Sequence, residues 1–235
     1  MSPAMTTPLA PRRSALHAVL LDIDGTLIDS NDAHARAWVA ALREHGYVVP
    51  FEEVRPLIGM GGDKMLPRLV GLDPKSGEAD RIGETRAEIF RRELPSLEST
   101  RGARELLQLL CAEGLELVVA TSAQSQEVQA VLEQAGVADL IKTRASSDDA
   151  ERSKPDPDIV QAALRKSGNM AAHCILIGDT PYDIEAAKRA RVPCIALRCG
   201  GLWDDKSLGE AVAIYDDPAD LVAQFESSPF VIGDV

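Results

Sequence analysis

The arrangement of apolar and polar positions changes twice along the chain. Residues 17–21 form a short apolar run, residues 31–98 follow a helical period, and from residue 100 apolar runs alternate with amphipathic segments. Strands that alternate with helices predict a parallel sheet covered by helices on both faces. We therefore expect an α/β protein with a Rossmann-like parallel sheet and a helical lobe inserted after the first strand.

The bounds of the elements follow from the length of each run and from the Gly and Pro residues that end it. Strands are predicted at residues 17–21, 115–120, 140–144, 174–177, 194–197 and 212–215. Helices are predicted in the lobe at 33–45, 52–58, 64–70 and 79–94, and around the sheet at 103–113, 124–135, 158–166, 182–190 and 219–225. The predicted division is a disordered tail at 1–14, a core domain at 15–30 and 99–228, and a helical cap at 31–98.

Composition and charge narrow the classes of function. The 235 residues carry a net charge of −12, which disfavours binding to nucleic acid or to an anionic membrane surface. The sequence has no apolar run of transmembrane length and no secretory signal pattern at its beginning. The four cysteines lack zinc-site spacing, which favours reduced thiols in a cytoplasmic protein. We expect a small-molecule partner and a monomer or small homo-oligomer.

Two carboxylates two residues apart mark the end of the first predicted strand. Asp22 and Asp24 stand where the apolar run gives way to Gly25, at the carboxyl edge where α/β sheets carry their sites. Two acids at one strand end repel each other unless a cation, a shared proton or a division of roles separates them. An acidic turn is the plain alternative.

Three further strand ends or nearby loops supply polar residues to the same edge. They carry Thr121-Ser122, Ser153-Lys154-Pro155 and Gly178-Asp179-Thr180, the last followed by Asp183. In this order, with Asp-x-Asp-Gly-Thr at residues 22–26, the chain resembles the haloacid dehalogenase-like hydrolase superfamily, in its phosphatase branch with a helical cap. The resemblance extends from about residue 15 to residue 225.

The resemblance implies a role for each carboxylate. Asp22 would be the nucleophile that takes a phosphoryl group, and Asp24 the general acid and base. Mg²⁺ would be held by Asp22, by Asp179 and by the backbone carbonyl of Asp24, since hard oxygen ligands suit magnesium. Asp183 would ligate the metal directly, orient Asp179 or a metal-bound water, or only stabilise a helix N-terminus.

Other residues are candidates for contacts with the phosphoryl group and the rest of the substrate. Thr121 and Lys154 would balance the phosphoryl oxygens, Lys154 would also keep Asp22 ionised, and Ser122 is a neighbouring contact or a cap. The candidate substrate contacts of the lobe are His34, Trp38, the glycine-rich run with Gly59 and Gly62, Lys64 and Arg68. For His34 the alternative is a packed helix, and for the glycines a plain turn.

The function expected from this resemblance is a Mg²⁺-dependent phosphatase acting on a small phosphomonoester that resembles phosphoglycolate or a sugar phosphate. An aspartyl-phosphate on Asp22 would be the intermediate. One alternative is a β-phosphoglucomutase-like sugar-phosphate mutase, and another is a non-catalytic protein that binds a phosphorylated metabolite. Against the mutase, residues 59–64 contain no arginine for a second phosphate. The natural substrate stays open at this point.

Overall fold

A six-stranded parallel sheet forms the centre of the protein. The computed structural model describes residues 16–232, so the predicted disordered tail at 1–14 lies outside the described residues. The strands, in the order β3-β2-β1-β4-β5-β6, all run parallel. Their bounds are Ala18–Leu21 (β1), Glu116–Ala120 (β2), Thr143–Ala145 (β3), Cys174–Gly178 (β4), Cys194–Leu197 (β5) and Ala213–Tyr215 (β6). The α/β fold class is therefore confirmed.

Helices connect these strands and form the inserted segment. Four of them directly follow β1 in sequence and belong to the inserted segment: Asn31–Glu44 (α1), Phe51–Val54 (α2), Gly62–Val70 (α3) and Gly77–Glu93 (α4). The others are Ala103–Ala112 (α5), Ser125–Gln134 (α6), Asp158–Ser167 (α7), Pro181–Arg189 (α8) and Pro218–Ala223 (α9). Within residues 16–232, no helix combines the length and the apolar character that a bilayer span requires.

The prediction of a strand at residues 140–144 is wrong for its first half. Leu140 lies in a turn, where its N–H donates to the carbonyl of Val137 at 3.1 Å, and β3 begins only at Thr143. The next residue, Ile141, is buried in the main apolar cluster. Apolar character at these positions therefore reflects packing beneath the sheet rather than strand pairing.

Side-chain alternation along the strands divides the core between the two faces of the sheet. In β1, Val19 and Leu21 belong to one apolar cluster, and Ala18 and Leu20 to another. This follows from the two-residue period of a strand, and it explains why β1 is apolar at every position. β1 lies between β2 and β4, so its carboxyl end is enclosed by both neighbours.

The inserted helices α1 to α4 form an apolar cluster of their own. Trp38 and Leu42 from α1 pack with Met65 and Leu66 from α3 and with Ile82 from α4. The same helix α1 also buries residues against the main cluster of the sheet. These contacts support the predicted helical cap, whose bounds at residues 31 and 98 stay a prediction.

Candidate active site

Strand register brings the predicted site residues together. Leu21, the last residue of β1, pairs with Val119 of β2 and with Ile177 of β4. Beyond that point the N–H of Asp22 still donates to the carbonyl of Ile177 at 2.9 Å. Because neighbouring parallel strands end at the same edge, residues that follow them in sequence meet there.

Three carboxylates and one ammonium group form the buried part of the site. Asp22, Asp179 and Asp183 each offer a carboxylate oxygen within 4.8 Å of the others, and all three side chains are buried. The Lys154 Nζ donates to Asp22 Oδ1 and to Asp183 Oδ1, each at 2.6 Å. Lys154 itself is 1% exposed, so it balances two of the three carboxylates without access to solvent.

Burial and the charges of neighbouring groups both shift the pKa values at this site. Burial raises the pKa of Asp22 to about 7, and Asp183 and Asp24 add to this effect while Lys154 opposes it. Burial also raises the pKa of Asp179 well above its ordinary value, together with the charges of Asp183 and Asp22. Burial alone would lower the pKa of Lys154, but Asp183 and Asp22 outweigh it and raise that pKa. A further cation at this cluster would relieve the repulsion.

Asp179 is held in place by the loop that follows β1 and by α1. Asn31 Nδ2 donates to Asp179 Oδ2 at 2.8 Å, and Thr26 Oγ1 donates to Asp179 Oδ1 at 3.3 Å. The turn at Gly25 has a φ of 75°, and a Cβ placed there would lie 2.2 Å from Asp179 Oδ2. Sequence reasoning missed Asn31, whose role depends on a contact across 148 residues.

Asp183 uses both of its carboxylate oxygens inside the protein. Oδ1 accepts from Lys154, and Oδ2 accepts from the N–H and the hydroxyl of Thr180 at 3.1 and 2.6 Å. Thr180 in turn accepts from the N–H of Asp183, which makes a capping box at the start of α8. These partners favour a role for Asp183 in orienting Lys154 over direct metal ligation.

Asp24 has partners of a different kind from Asp22. Its Oδ1 accepts from Ser30 Oγ at 2.6 Å and lies 2.9 Å from His34 Nε2. The His34 ring stacks on Phe90, with ring centroids 3.8 Å apart. Burial would raise the pKa of Asp24, but His34 and the hydrogen bonds outweigh it and hold that pKa below its ordinary value. The two carboxylates therefore differ in their hydrogen-bond partners and in their electrostatic environments.

A cavity between the helical segment and the sheet edge exposes part of this site. Trp38 and Ile58 to Gly62 line it from the helical side, and Thr121 to Ala123 line it from the sheet side. The remaining lining residues are Asp22, Asp24, His34, Arg86 and Glu127. Of the predicted contacts, this cavity brings together Asp22, Asp24, His34, Trp38, Gly59, Gly62, Thr121 and Ser122.

Two cap cations that the sequence suggested as substrate contacts lie outside this cavity lining. Lys64 Nζ forms an ion pair with Asp156 Oδ2 at 2.6 Å, which joins α3 to the loop before α7. Arg68 contacts the sulfur of Met60 at 3.9 Å. The interpretation of Lys64 as a substrate contact is therefore not supported by its position, because Asp156 already neutralises its charge.

Sequence reasoning missed an ion pair that does line the cavity. Arg86 of α4 places Nη1 3.0 Å from Glu127 Oε2 of α6, and its guanidinium carbon lies 5.5 Å from the centre of the Trp38 ring. Both charged side chains are about nine-tenths buried. In the sequence each is one of many charged residues on an amphipathic helix, so no local signal identifies them.

Comparison with known proteins places this arrangement in a family. The family model of haloacid dehalogenase-like hydrolases matches residues 19–197. A phosphoglycolate phosphatase from Rhodospirillum rubrum is 30% identical over 214 residues, covering 87% of this chain and 88% of that protein. The protein SUPPRESSOR OF QUENCHING 1 from Arabidopsis thaliana is 33% identical over 186 residues, but the chain spans only 18% of its length.

Solved structures agree with this result. A hydrolase from Pseudomonas syringae superimposes with a TM-score of 0.83 and 30% identity, over 90% of this chain and 98% of that one. A beta-phosphoglucomutase from Clostridium difficile gives a TM-score of 0.80 over 92% of this chain and 97% of that one, and at 18% identity it supports the fold alone. The match to the family model over most of the chain and the helices inserted after β1 confirm the sequence-based resemblance: the protein belongs to the haloacid dehalogenase-like hydrolases, in the branch that carries a helical cap.

Proposed function

We propose that this hydrolase is a Mg²⁺-dependent phosphatase that cleaves a small phosphomonoester through an aspartyl-phosphate on Asp22. One observation carries the proposal. Asp22 and Asp24 line the same cavity, yet Asp22 contacts Lys154 and the carboxylate cluster, whereas Asp24 contacts His34 and Ser30. A nucleophile and an acid–base need this separation of environments.

The donor set fits magnesium. Asp22 and Asp179 supply hard carboxylate oxygens, and the cluster sets three carboxylates against the single charge of Lys154. We assign the ion to these two side chains and the backbone carbonyl of Asp24, with Asp183 as a positioning residue. When bound, Mg²⁺ would neutralise charge on the phosphoryl oxygens and allow the ester to approach Asp22.

The residues around the cavity account for both half-reactions. An Asp22 carboxylate oxygen attacks phosphorus while the bond to the leaving oxygen breaks, and Asp24, which must first take up a proton, gives it to that oxygen. Water then attacks the phosphorus of the aspartyl-phosphate and gives a proton to Asp24, while the bond from phosphorus to the Asp22 oxygen breaks; inorganic phosphate leaves and the Asp22 carboxylate is restored. The Thr121 hydroxyl accepts from the N–H of Ala123 at 3.0 Å, so its proton is available to a phosphoryl oxygen. Lys154 favours the ionised form of Asp22 and so opposes the effect of burial.

Phosphatase activity fits the cavity better than mutase activity. A mutase must hold a second phosphate, which needs a free cation. Among the described residues that line the cavity, Arg86 is the one lysine or arginine, and Glu127 neutralises it at 3.0 Å. The substrate partner is thus a phosphomonoester of a small metabolite, while the cytoplasmic location and the oligomeric state stay predictions.

Replacing the nucleophile tests the proposal. We expect Asp22→Asn to abolish Mg²⁺-dependent phosphate release from a panel of phosphomonoesters, because an amide cannot form the acyl phosphate. Asp139→Asn, which changes an exposed partner of Arg104, is the matched control and should retain activity. Circular dichroism checks that both variants fold. Turnover by Asp22→Asn, or sugar-phosphate isomer interconversion by the wild type without phosphate release, would contradict the proposal.

A further inference from the structure

A second, larger cavity adjoins the first, and its lining does not include Asp22, Asp179 or Asp183. It measures about 450 Å³, and it shares Trp38, Gly61, Gly62, Arg86 and Ser122 with the cavity that contains Asp22 and Asp24. Its other walls come from α3, α4 and the loops that follow β2 and β3. A phosphoryl group at Asp22 would therefore direct its leaving group toward this outer cavity.

The outer cavity is acidic. The carboxylates along its lining belong to Asp63, Asp80, Glu84 and Glu151. Arg86 is the one lysine or arginine among the described residues that line either cavity, and its charge is already matched by Glu127. A leaving group with a carboxylate or a second phosphate would meet repulsion there and would find no unpaired cation.

Polar atoms without a partner belong to Arg86 and Ser122, which line both cavities, and to Glu127, which lines the first. Arg86 Nε and Glu127 Oε1 are buried and make no hydrogen bond. The ion pair uses other atoms of the same two side chains, Arg86 Nη1 and Glu127 Oε2. The Ser122 hydroxyl is likewise buried and unpartnered. Arg86 Nε donates, Glu127 Oε1 accepts, and Ser122 can do both. Hydroxyl or amino groups on a ligand would satisfy all three atoms, whereas a carboxylate could not donate to Glu127.

We propose that the leaving group is a polyol or amino-polyol without negative charge, bound at the junction of the two cavities by Arg86, Glu127 and Ser122. This inference rests on the proposed phosphatase function and narrows its substrate class. It favours a sugar phosphate over phosphoglycolate, even though a phosphoglycolate phosphatase is among the relatives. The volume of the outer cavity suits a sugar-sized group better than a two-carbon acid.

A matched set of esters tests the inference on the wild-type protein with Mg²⁺. Glucosamine 6-phosphate, glucose 6-phosphate and 6-phosphogluconate share a six-carbon scaffold and differ in charge, and phosphoglycolate is added. Below neutral pH, where the amine is protonated, we expect kcat/KM for both uncharged and amino sugars to exceed that for both acids by at least about tenfold, which is 1.4 kcal/mol of discrimination. Higher salt should narrow this gap.

The outcomes separate the inference from the function beneath it. If either acid is the best substrate, the inference is overturned while the phosphatase function stands. If no ester releases phosphate, including p-nitrophenyl phosphate as a generic probe, the proposed function fails and the inference fails with it. The expected order of kcat/KM supports both.

Two sets of variants test which residues cause the preference for sugar phosphates over phosphorylated acids. Glu127→Gln keeps the shape of the side chain but frees the charge of Arg86, so we expect kcat/KM for phosphoglycolate and 6-phosphogluconate to rise relative to glucose 6-phosphate. The double variant Glu84→Gln with Glu151→Gln should lower the ratio of kcat/KM for glucosamine 6-phosphate to kcat/KM for 6-phosphogluconate by at least about threefold at low salt. Glu44→Gln with Glu105→Gln removes the same charge from exposed positions outside both cavities and should leave the ratio unchanged. Equal ratios in all variants would overturn the inference.

Discussion

A methyl group at Gly25 should displace the Asp179 carboxylate from the proposed metal site. The φ of Gly25 is 75°, and its Cβ would lie 2.1 Å from Asn31 Nδ2 and 2.2 Å from Asp179 Oδ2. Gly46, at the end of α1, has a φ of 89°, and a Cβ there meets nothing within 4 Å. Gly25→Ala and Gly46→Ala therefore share the backbone strain but differ in what the methyl group displaces.

The magnitudes follow from these contacts. An alanine in the left-handed region costs about 1–2 kcal/mol, partly offset by about 0.4–1 kcal/mol from a less flexible unfolded chain. Gly46→Ala should thus lose about 1 kcal/mol of unfolding free energy. Gly25→Ala must also move the Asp179 carboxylate and break its bond to Asn31, which adds about 1–3 kcal/mol for buried groups left unpaired.

The two variants should separate most clearly in their response to Mg²⁺. We expect Gly25→Ala to need about 10- to 100-fold more Mg²⁺ for half-maximal phosphate release, as when a group that orients a ligand is lost. Gly46→Ala should match the wild type. Urea unfolding with chelator, followed by tryptophan fluorescence, gives the stabilities. Equal Mg²⁺ requirements in the two variants would refute the placement of Asp179 at the metal.

Three further predictions concern single side chains. Lys154→Met leaves Asp22 and Asp183 without their shared cation. Urea unfolding in chelator should therefore show a loss of about 3–5 kcal/mol in the free energy of unfolding, and added Mg²⁺ should recover part of it. An unchanged free energy of unfolding would contradict the charge balance described above. Lys64→Met should lower kcat/KM by less than about tenfold in a phosphate-release assay, because Asp156 and not the cavity holds Lys64, and a larger loss would restore Lys64 as a substrate contact. Burial raises the pKa of Cys174 to about 11 and of Cys199 to about 12, and it raises the pKa of Cys194 as well. Alkylation near neutral pH followed by mass spectrometry should therefore find only the exposed Cys111 modified rapidly.

Most of the fold could be predicted because its strands are continuous apolar runs bounded by turn residues. β5 was predicted at its observed bounds, and β1, β2 and β4 within one residue at each end. The error at Leu140 arose because a buried turn and a buried strand have the same composition over a few residues.

Some residues of the candidate site could be predicted from the sequence, and others could not. Asp22, Asp24 and Asp179 follow apolar strands, so their meeting at one edge is a consequence of a parallel sheet. The pairing of Arg86 with Glu127, and of Lys64 with Asp156, depends instead on how the inserted helices sit against the sheet. Charged residues on helices carry no local signal for such contacts, since most of them face solvent.

The wide spacing of the site residues along the chain has a consequence for folding. The bond from Lys154 to Asp22 closes a separation of 132 residues, and that from Asn31 to Asp179 one of 148. We expect such contacts to form late, because the chain must first lose the entropy of closing long loops. β1 must be enclosed by β2 and β4 before any of these partners can meet. Recovery of turnover during refolding should therefore lag behind the recovery of helical signal, and it would report when the sheet is complete.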